Sequence, residues 1–141
     1  MKRTLVLILC SIALTLSACN HENIPITKND LPQSAQQFLN RYFSTCTIYQ
    51  VLRDGHEYEV KFTNGFEVDF DKNGDWKGVD CHIAAVPSAI VPMTIANYVS
   101  TNFPQNYIVK ISVDHHGYDV ELNNDMDLEF DKNGKFLRRD D

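Results

Sequence analysis

The chain has 141 residues and a formal net charge of −6, with 43% apolar and 23% charged residues. The acidic balance excludes a nucleic-acid binder, because phosphate contacts draw on Lys and Arg. Four cysteines reduce to two, because Cys10 lies in an apolar leader and Cys19 at its end, which leaves Cys46 and Cys81.

Residues 1–18 predict a lipoprotein signal peptide. Met1-Lys2-Arg3 is a basic start, and Thr4 to Leu16 is an apolar run too short to span a bilayer comfortably. Leu16-Ser17-Ala18-Cys19 has the form of a lipobox, in which small residues admit signal peptidase II and the Cys19 thiol carries diacylglycerol. The mature chain then starts at Cys19, anchored by lipid rather than by a helix. Loss of Lys2 and Arg3 takes its net charge to −8 from the whole chain's −6. Asn20 after the lipid cysteine points to an outer rather than an inner membrane under the enterobacterial sorting rule. Residues 19–30, polar and containing Pro25, predict a short tether.

From Leu31 the sequence repeats itself at an offset of sixty residues without a gap. Leu31-Pro32 returns as Val91-Pro92, Tyr58 as Tyr118 and Val60 as Val120. Phe70-Asp71-Lys72-Asn73-Gly74 returns letter for letter at 130–134. The repeats are 31–81 and 91–141, joined by a linker at 82–90. Each alone is small for an independent core, so the two are expected to share a core or join their sheets.

Leu31 to Ser44 predicts a helix, with Pro32 at the first helical position, Asn29 and Asp30 placed to satisfy free amides, and apolar residues at three- and four-residue steps. Four short strands follow: Thr47–Arg53, Glu57–Phe62, Phe66–Phe70 and Trp76–Val79. Tyr58, Val60 and Phe62 alternate with Glu57, Glu59 and Lys61, the mark of a half-buried antiparallel strand, and Asn64-Gly65 is a hairpin turn. The predicted fold is therefore α+β: two tandem repeats, each one α-helix packed on a four-stranded antiparallel meander sheet. The helix covers one face and leaves the other wet. Trp76 and Phe136 occupy equivalent positions and predict core.

The wet face carries Glu57, Glu59, Glu67 and Asp69 in repeat one, and Asp119, Glu121, Asp127 and Glu129 in repeat two. Like charges opposed across a hairpin cost a few tenths to about 1 kcal/mol. A solvated face that keeps the protein soluble accounts for them. A docking face for a basic protein or peptide accounts for them too, because complementary charge speeds encounter.

Asp69-x-Asp71-x-Asn73-Gly74 with Asp80, and Glu129-x-Asp131-x-Asn133-Gly134 with Asp140, place oxygen ligands as a calcium loop does. Strand patterns flank both segments, however, and Asp-x-x-Gly also suits a type I turn. A structural turn is the first reading and calcium the alternative. Cys46 and Cys81 could bridge within repeat one, whereas Asn106 and Asp141 stand at those places in repeat two, so two free thiols serve equally. Neither His115-His116 nor any other histidine shows zinc spacing with cysteine, and no nucleophile elbow or phosphate loop occurs.

Leu31-Pro32, a helix ending in an aromatic, Tyr58-Glu59-Val60-Lys61-Phe62, Asn64-Gly65, Glu67 to Gly74 and Trp76-Lys77 together resemble the PepSY-like, beta-lactamase-inhibitor-like family of bacterial envelope lipoproteins. The resemblance covers 31–141 as two units. It implies a helix on a four-stranded sheet per repeat and no catalytic residues. The chain departs from the pattern at Cys46, and at Asp125 where repeat one has Gly65, so a less regular second hairpin is expected. The function expected is non-catalytic binding of a protein or peptide at the cell envelope, as an inhibitor or modulator, with no cofactor. The alternative is calcium binding by the two Asp-x-Asn-Gly loops.

Overall fold

A computed structural model describes residues 23–140. The signal peptide, Cys19, the first part of the tether and Asp141 lie outside the described residues. Nine strands run in sequence order as one antiparallel sheet. They are β1 (Ile24–Ile26), β2 (Ile48–Asp54), β3 (Glu57–Phe62), β4 (Glu67–Phe70), β5 (Trp76–Asp80), β6 (Ile108–Val113), β7 (Gly117–Leu122), β8 (Asp127–Asp131) and β9 (Phe136–Asp140). Helix α1 (Gln33–Tyr42) connects β1 to β2, and α2 (Met93–Asn102) connects β5 to β6.

The expectation of one helix on a four-stranded sheet for each repeat is thereby corrected: the chain forms a single sheet of nine strands with two helices. The repeats fuse through β5 and β6, where Gly78, Val79 and Asp80 oppose Ser112, Ile111 and Lys110. Joining them removes two open strand edges that would otherwise present unpaired amides and carbonyls. The two helices contribute to a single core: Ala35 and Leu39 from α1 and Ile95 and Val99 from α2 belong to one buried cluster with Val60, Phe70, Val120 and Phe130. The linker joins in, burying Val86 and Ile90.

A second correction concerns the tether. Ile24-Pro25-Ile26 forms β1 and pairs with β2, Pro25 opposite Leu52 and Ile26 opposite Val51. Sixty residues on, Ser112 and Ile111 take Gly78 and Val79 as partners. So β1 does for repeat one what β5 does for repeat two. A proline is tolerated because β1 is a sheet edge, where a missing amide need not break a ladder. Asp30, expected to serve α1, instead accepts from the Thr27 amide at 2.8 Å and the Thr27 hydroxyl at 2.7 Å. Pro32 is the N-cap residue rather than the first helical one, with no side-chain cap bond.

The β4–β5 turn supports the helix start. The Ser34 hydroxyl donates to the Asn73 carbonyl at 2.6 Å, and Thr94 donates to Asn133 at 3.4 Å. Gly74, at φ +83°, lies so close beneath this contact that a Cβ would run into Ser34 Oγ and Pro32. Above the sheet each repeat stacks the same three rings. Phe38 meets Phe70 edge-on at 5.6 Å and lies over Trp76; Tyr98 meets Phe130 edge-on at 5.4 Å and stacks on Phe136 at 4.5 Å. The second hairpin is as regular as the first. Asp125 takes φ +62° where Gly65 takes +85°, and the Leu122–Met126 bond of 3.0 Å matches Phe62–Phe66 at 2.9 Å. Asp tolerates the left-handed region better than most residues.

Candidate binding face

Strand register sorts the helix-free face into two rows of side chains. One runs Leu52, Glu59, Asp69, Gly78, Ser112, Asp119, Glu129, Arg138. The neighbouring row runs Gln50, Lys61, Glu67, Asp80, Lys110, Glu121, Asp127, Asp140. The structure thus brings the sequence-predicted carboxylates onto one surface and sets Glu59 against Asp69, Asp119 against Glu129, and Glu121 against Asp127. Glu57 borders it at the start of β3.

Three cations partly stitch this face together. Lys61 lies 3.2 Å from Glu59 and 3.6 Å from Glu67, Lys110 3.5 Å from Asp80, and Arg138 2.5 Å from Glu129 and 3.6 Å from Asp140. Hydrogen bonding to Glu59, first of all, raises the Lys61 pKa, as Glu129 raises that of Arg138. Sequence reasoning missed Lys110, Arg138 and the face role of Asp80, since their membership depends on the β5–β6 and β8–β9 pairings. The sixty-residue offset carried the signal, because β5 must have an outer neighbour if the repeats fuse.

Asp69 stands apart. Among the described residues its carboxylate makes no ion pair or hydrogen bond, and the charge of Lys110 only partly offsets its acidic neighbours. It sits in a groove of about 450 Å³ whose walls include Leu52, Glu59, Glu67, Tyr58 and Lys110. Burial of its carboxyl, then repulsion from Glu59 and Glu67, pushes its pKa from 3.8 to about 6. Gly78 is its cross-strand neighbour, and a Cβ there would stand 3.1 Å from Asp69 Oδ2. In repeat two the matching space, beside Glu129 and Asp119, is about 250 Å³ and is lined by Arg138 itself. Asp119 is also raised, by burial and then by Glu129.

The calcium-loop candidates do not converge. Asp71 Oδ1 already accepts from the amides of Asn73 and Asp75 at 2.8 and 3.0 Å, and Asp131 Oδ1 from Asn133 and Lys135, both at 2.9 Å. Asp80 and Asp140 lie at the far ends of β5 and β9, opposite Glu67 and Asp127. The Asp-x-Asn-Gly segments are therefore hairpin turns that brace the helices. Cys46 and Cys81 are unbridged. Cys46 accepts from the Asn64 side-chain amide at 3.7 Å, and burial pushes the Cys81 thiol up to about 11, which leaves it unreactive.

At the β6–β7 turn, Asp114, His115 and His116 bring one potential ligand atom each within 4.8 Å of one another. The sequence had marked only the two histidines there. Asp114 is engaged by the turn, accepting from the amides of His116 at 2.7 Å and Gly117 at 3.2 Å, which hold its pKa low.

A family model described as "Putative beta-lactamase-inhibitor-like, PepSY-like" matches residues 17–67 and 56–138, two overlapping regions consistent with two repeats. The chain belongs to this family. Several solved structures share its fold. A putative calcium-regulated periplasmic protein from Bacteroides thetaiotaomicron is 39% identical, with a TM-score of 0.82 over 84% of this chain and 97% of that one. A putative periplasmic protein from Bacteroides vulgatus is 36% identical, with a TM-score of 0.83 over 86% and 99%. Another from the same species, of unknown function, is 29% identical, with a TM-score of 0.80 over 85% and 100%. No protein of curated function matches. Neither the family nor these PepSY-like neighbours is described by a catalytic activity.

Proposed function

We propose that this PepSY-like protein is a non-catalytic, lipid-anchored protein of the cell envelope, held at the outer membrane through Cys19. In this reading it binds a basic protein or peptide through the helix-free acidic face, as an inhibitor or modulator. The periplasmic description of its neighbours supports an envelope location. The observation that carries the reading is the pair of registered carboxylate rows, which gather more acids than Lys61, Lys110 and Arg138 neutralise. A face selected only for solubility would interleave charges, since opposed carboxylates cost stability. Pull-down of the mature chain from envelope extract tests it. The captured partner should dissociate at high salt and be lost from a Glu121→Lys/Glu129→Lys double variant. A partner retained equally by the double variant sinks the reading. A Cys19→Ser variant should leave the membrane fraction.

Calcium binding is the second reading, supported by the neighbour described as calcium-regulated. Calcium takes six to eight oxygen ligands. In the hairpin turns Asp71 Oδ1 and Asp131 Oδ1 are taken by backbone amides. The donor set for this reading is therefore Glu57, Glu59, Glu67 and Asp69, of which calcium would take Glu59 and Glu67 from Lys61. A calcium titration should raise the melting temperature of the wild type and not of Glu59→Gln/Asp69→Asn. An equal rise in both, abolished by Asp71→Asn, would return the site to the turns.

A further inference from the structure

We infer that the groove at Asp69 is an acceptor for a single arginine side chain of the partner, the part that Arg138 plays within repeat two. The inference rests on the binding function proposed above and names the chemical group that the face receives.

The chain's second repeat displays the occupant. At the sixty-residue offset, Glu59 becomes Asp119, Asp69 becomes Glu129 and Gly78 becomes Arg138. The strand register is the same in both copies: Asp69 opposes Gly78 as Glu129 opposes Arg138. In repeat two the guanidinium lies 2.5 Å from Glu129 and 3.6 Å from Asp140, so the acidic row is neutralised from inside the molecule. In repeat one that side chain is missing. Its place is a groove of about 450 Å³ against about 250 Å³ in repeat two. Asp69 and Glu59 flank it with no guanidinium between them; the cations near it are lysines, Lys110 and Lys77 on the wall, the latter where repeat two has Leu137, and Lys61 paired to Glu59.

The walls favour arginine over a bare cation. Leu52 and Tyr58 line the groove beside the carboxylates. Apolar wall next to acid suits a three-methylene stem carrying a charged head, whereas a metal ion gains nothing from it. Two opposed carboxylates suit a planar fork of N–H donors better than the point charge of lysine. Lys61 and Lys110 are already paired to Glu59, Glu67 and Asp80. Lys110 and Lys77 stand on the groove wall, and Lys110 eases the Asp69 charge without forming an ion pair with it.

The test uses the whole mature chain and two capped tripeptides, acetyl-Gly-Arg-Gly-amide and acetyl-Gly-Lys-Gly-amide, followed by NMR amide shifts. The arginine peptide should perturb Asp69, Gly78 and Ser112 and bind about tenfold more tightly than the lysine peptide. Gly78→Arg installs the internal occupant and should abolish those shifts. Arg138→Gly should open a second site, with new shifts at Asp119 and Glu129. If Gly78→Arg does not fold, Asp69→Asn serves in its place and should weaken the arginine peptide by about tenfold. Equal affinity for the two peptides, shifts that persist in Gly78→Arg, or self-association of the chain as the only effect of Arg138→Gly each overturn the inference. Tripeptide binding confined to the groove while no extract partner responds to Glu121→Lys/Glu129→Lys would defeat the wider function and leave the groove assignment standing. The reverse pattern would defeat the groove alone.

Discussion

Asp69→Asn should stabilise the protein at neutral pH, although it deletes a charge from a face full of potential partners. In the folded state burial, then Glu59 and Glu67, lifts the Asp69 pKa from 3.8 to about 6. A tenfold change in proton affinity corresponds to about 1.36 kcal/mol. A fully shielded carboxyl would thus oppose folding by about 3 kcal/mol when ionised; Asp69 keeps a solvent-exposed flank, and screening brings this to about 1 kcal/mol. The sign follows from the direction in which the pKa moves. A carboxyl whose folded pKa lies above its unfolded value binds its proton more tightly when folded. Its penalty is absent below about pH 3.8, grows between there and about pH 6, and is complete above. Urea denaturation of wild type and variant from pH 4 to pH 8 reads the difference directly, because the remaining groups titrate in both. The variant should be more stable by about 1 kcal/mol at pH 7.5, with the gap closing towards pH 4. A variant less stable at pH 7.5, or a gap that does not change with pH, would refute the placement of Asp69 in a crowded acidic groove.

Other perturbations probe the frame that holds this groove. Phe70→Ala and Phe130→Ala, at fully buried ring sites in the two repeats, should each cost about 3–5 kcal/mol by chemical denaturation. Because one sheet and one core span both repeats, each variant should still unfold in a single transition, and two transitions would mean that the β5–β6 junction is weak. Gly74→Ala should cost about 2 kcal/mol or more, since it forces a Cβ at φ +83° into Ser34. Asp125→Gly, relieving a non-glycine residue at φ +62°, should raise stability by about 0.5 kcal/mol, read as a later denaturation midpoint.

Local patterns in the sequence carried most of the elements. Alternation from Glu57 to Phe62 placed β3 at its observed bounds, and Asn64-Gly65 located the turn after it. The helices and the ring positions Trp76 and Phe136 followed from periodicity and offset. What local pattern could not carry was pairing between elements distant in sequence. Ile24-Pro25-Ile26 has three residues and a proline, and is a strand only because β2 has an open edge to offer it. The β5–β6 seam follows from the need to cover two edges, a global demand that no window of residues expresses. The acidic face was legible as a list of carboxylates. Its partial neutralisation was not, because Lys110 and Arg138 reach it only through strand neighbours. The Asp-x-Asn-Gly segments matched calcium loops in spacing, yet Asp71 and Asp131 turn inward to their own backbone amides.

A duplicated unit builds two equivalent faces, and keeping both acidic rows open would accumulate repulsion across one continuous sheet. The chain resolves this unevenly. Repeat two closes its row with Arg138 and binds the β9 edge strand in the process, since the guanidinium spans from Glu129 on β8 to Asp140 on β9. Repeat one puts Gly78 there instead, on a strand already fixed on both sides by β4 and β6. Stability thus calls for the arginine at the edge and can dispense with it in the interior. The interior position is also where the groove floor is paired to a neighbouring strand on either side. The asymmetry at Gly78 and Arg138 fits both demands together: an edge secured by its own cation, and a central groove, walled by Lys77 and Lys110 beside its acids, that holds no guanidinium of its own.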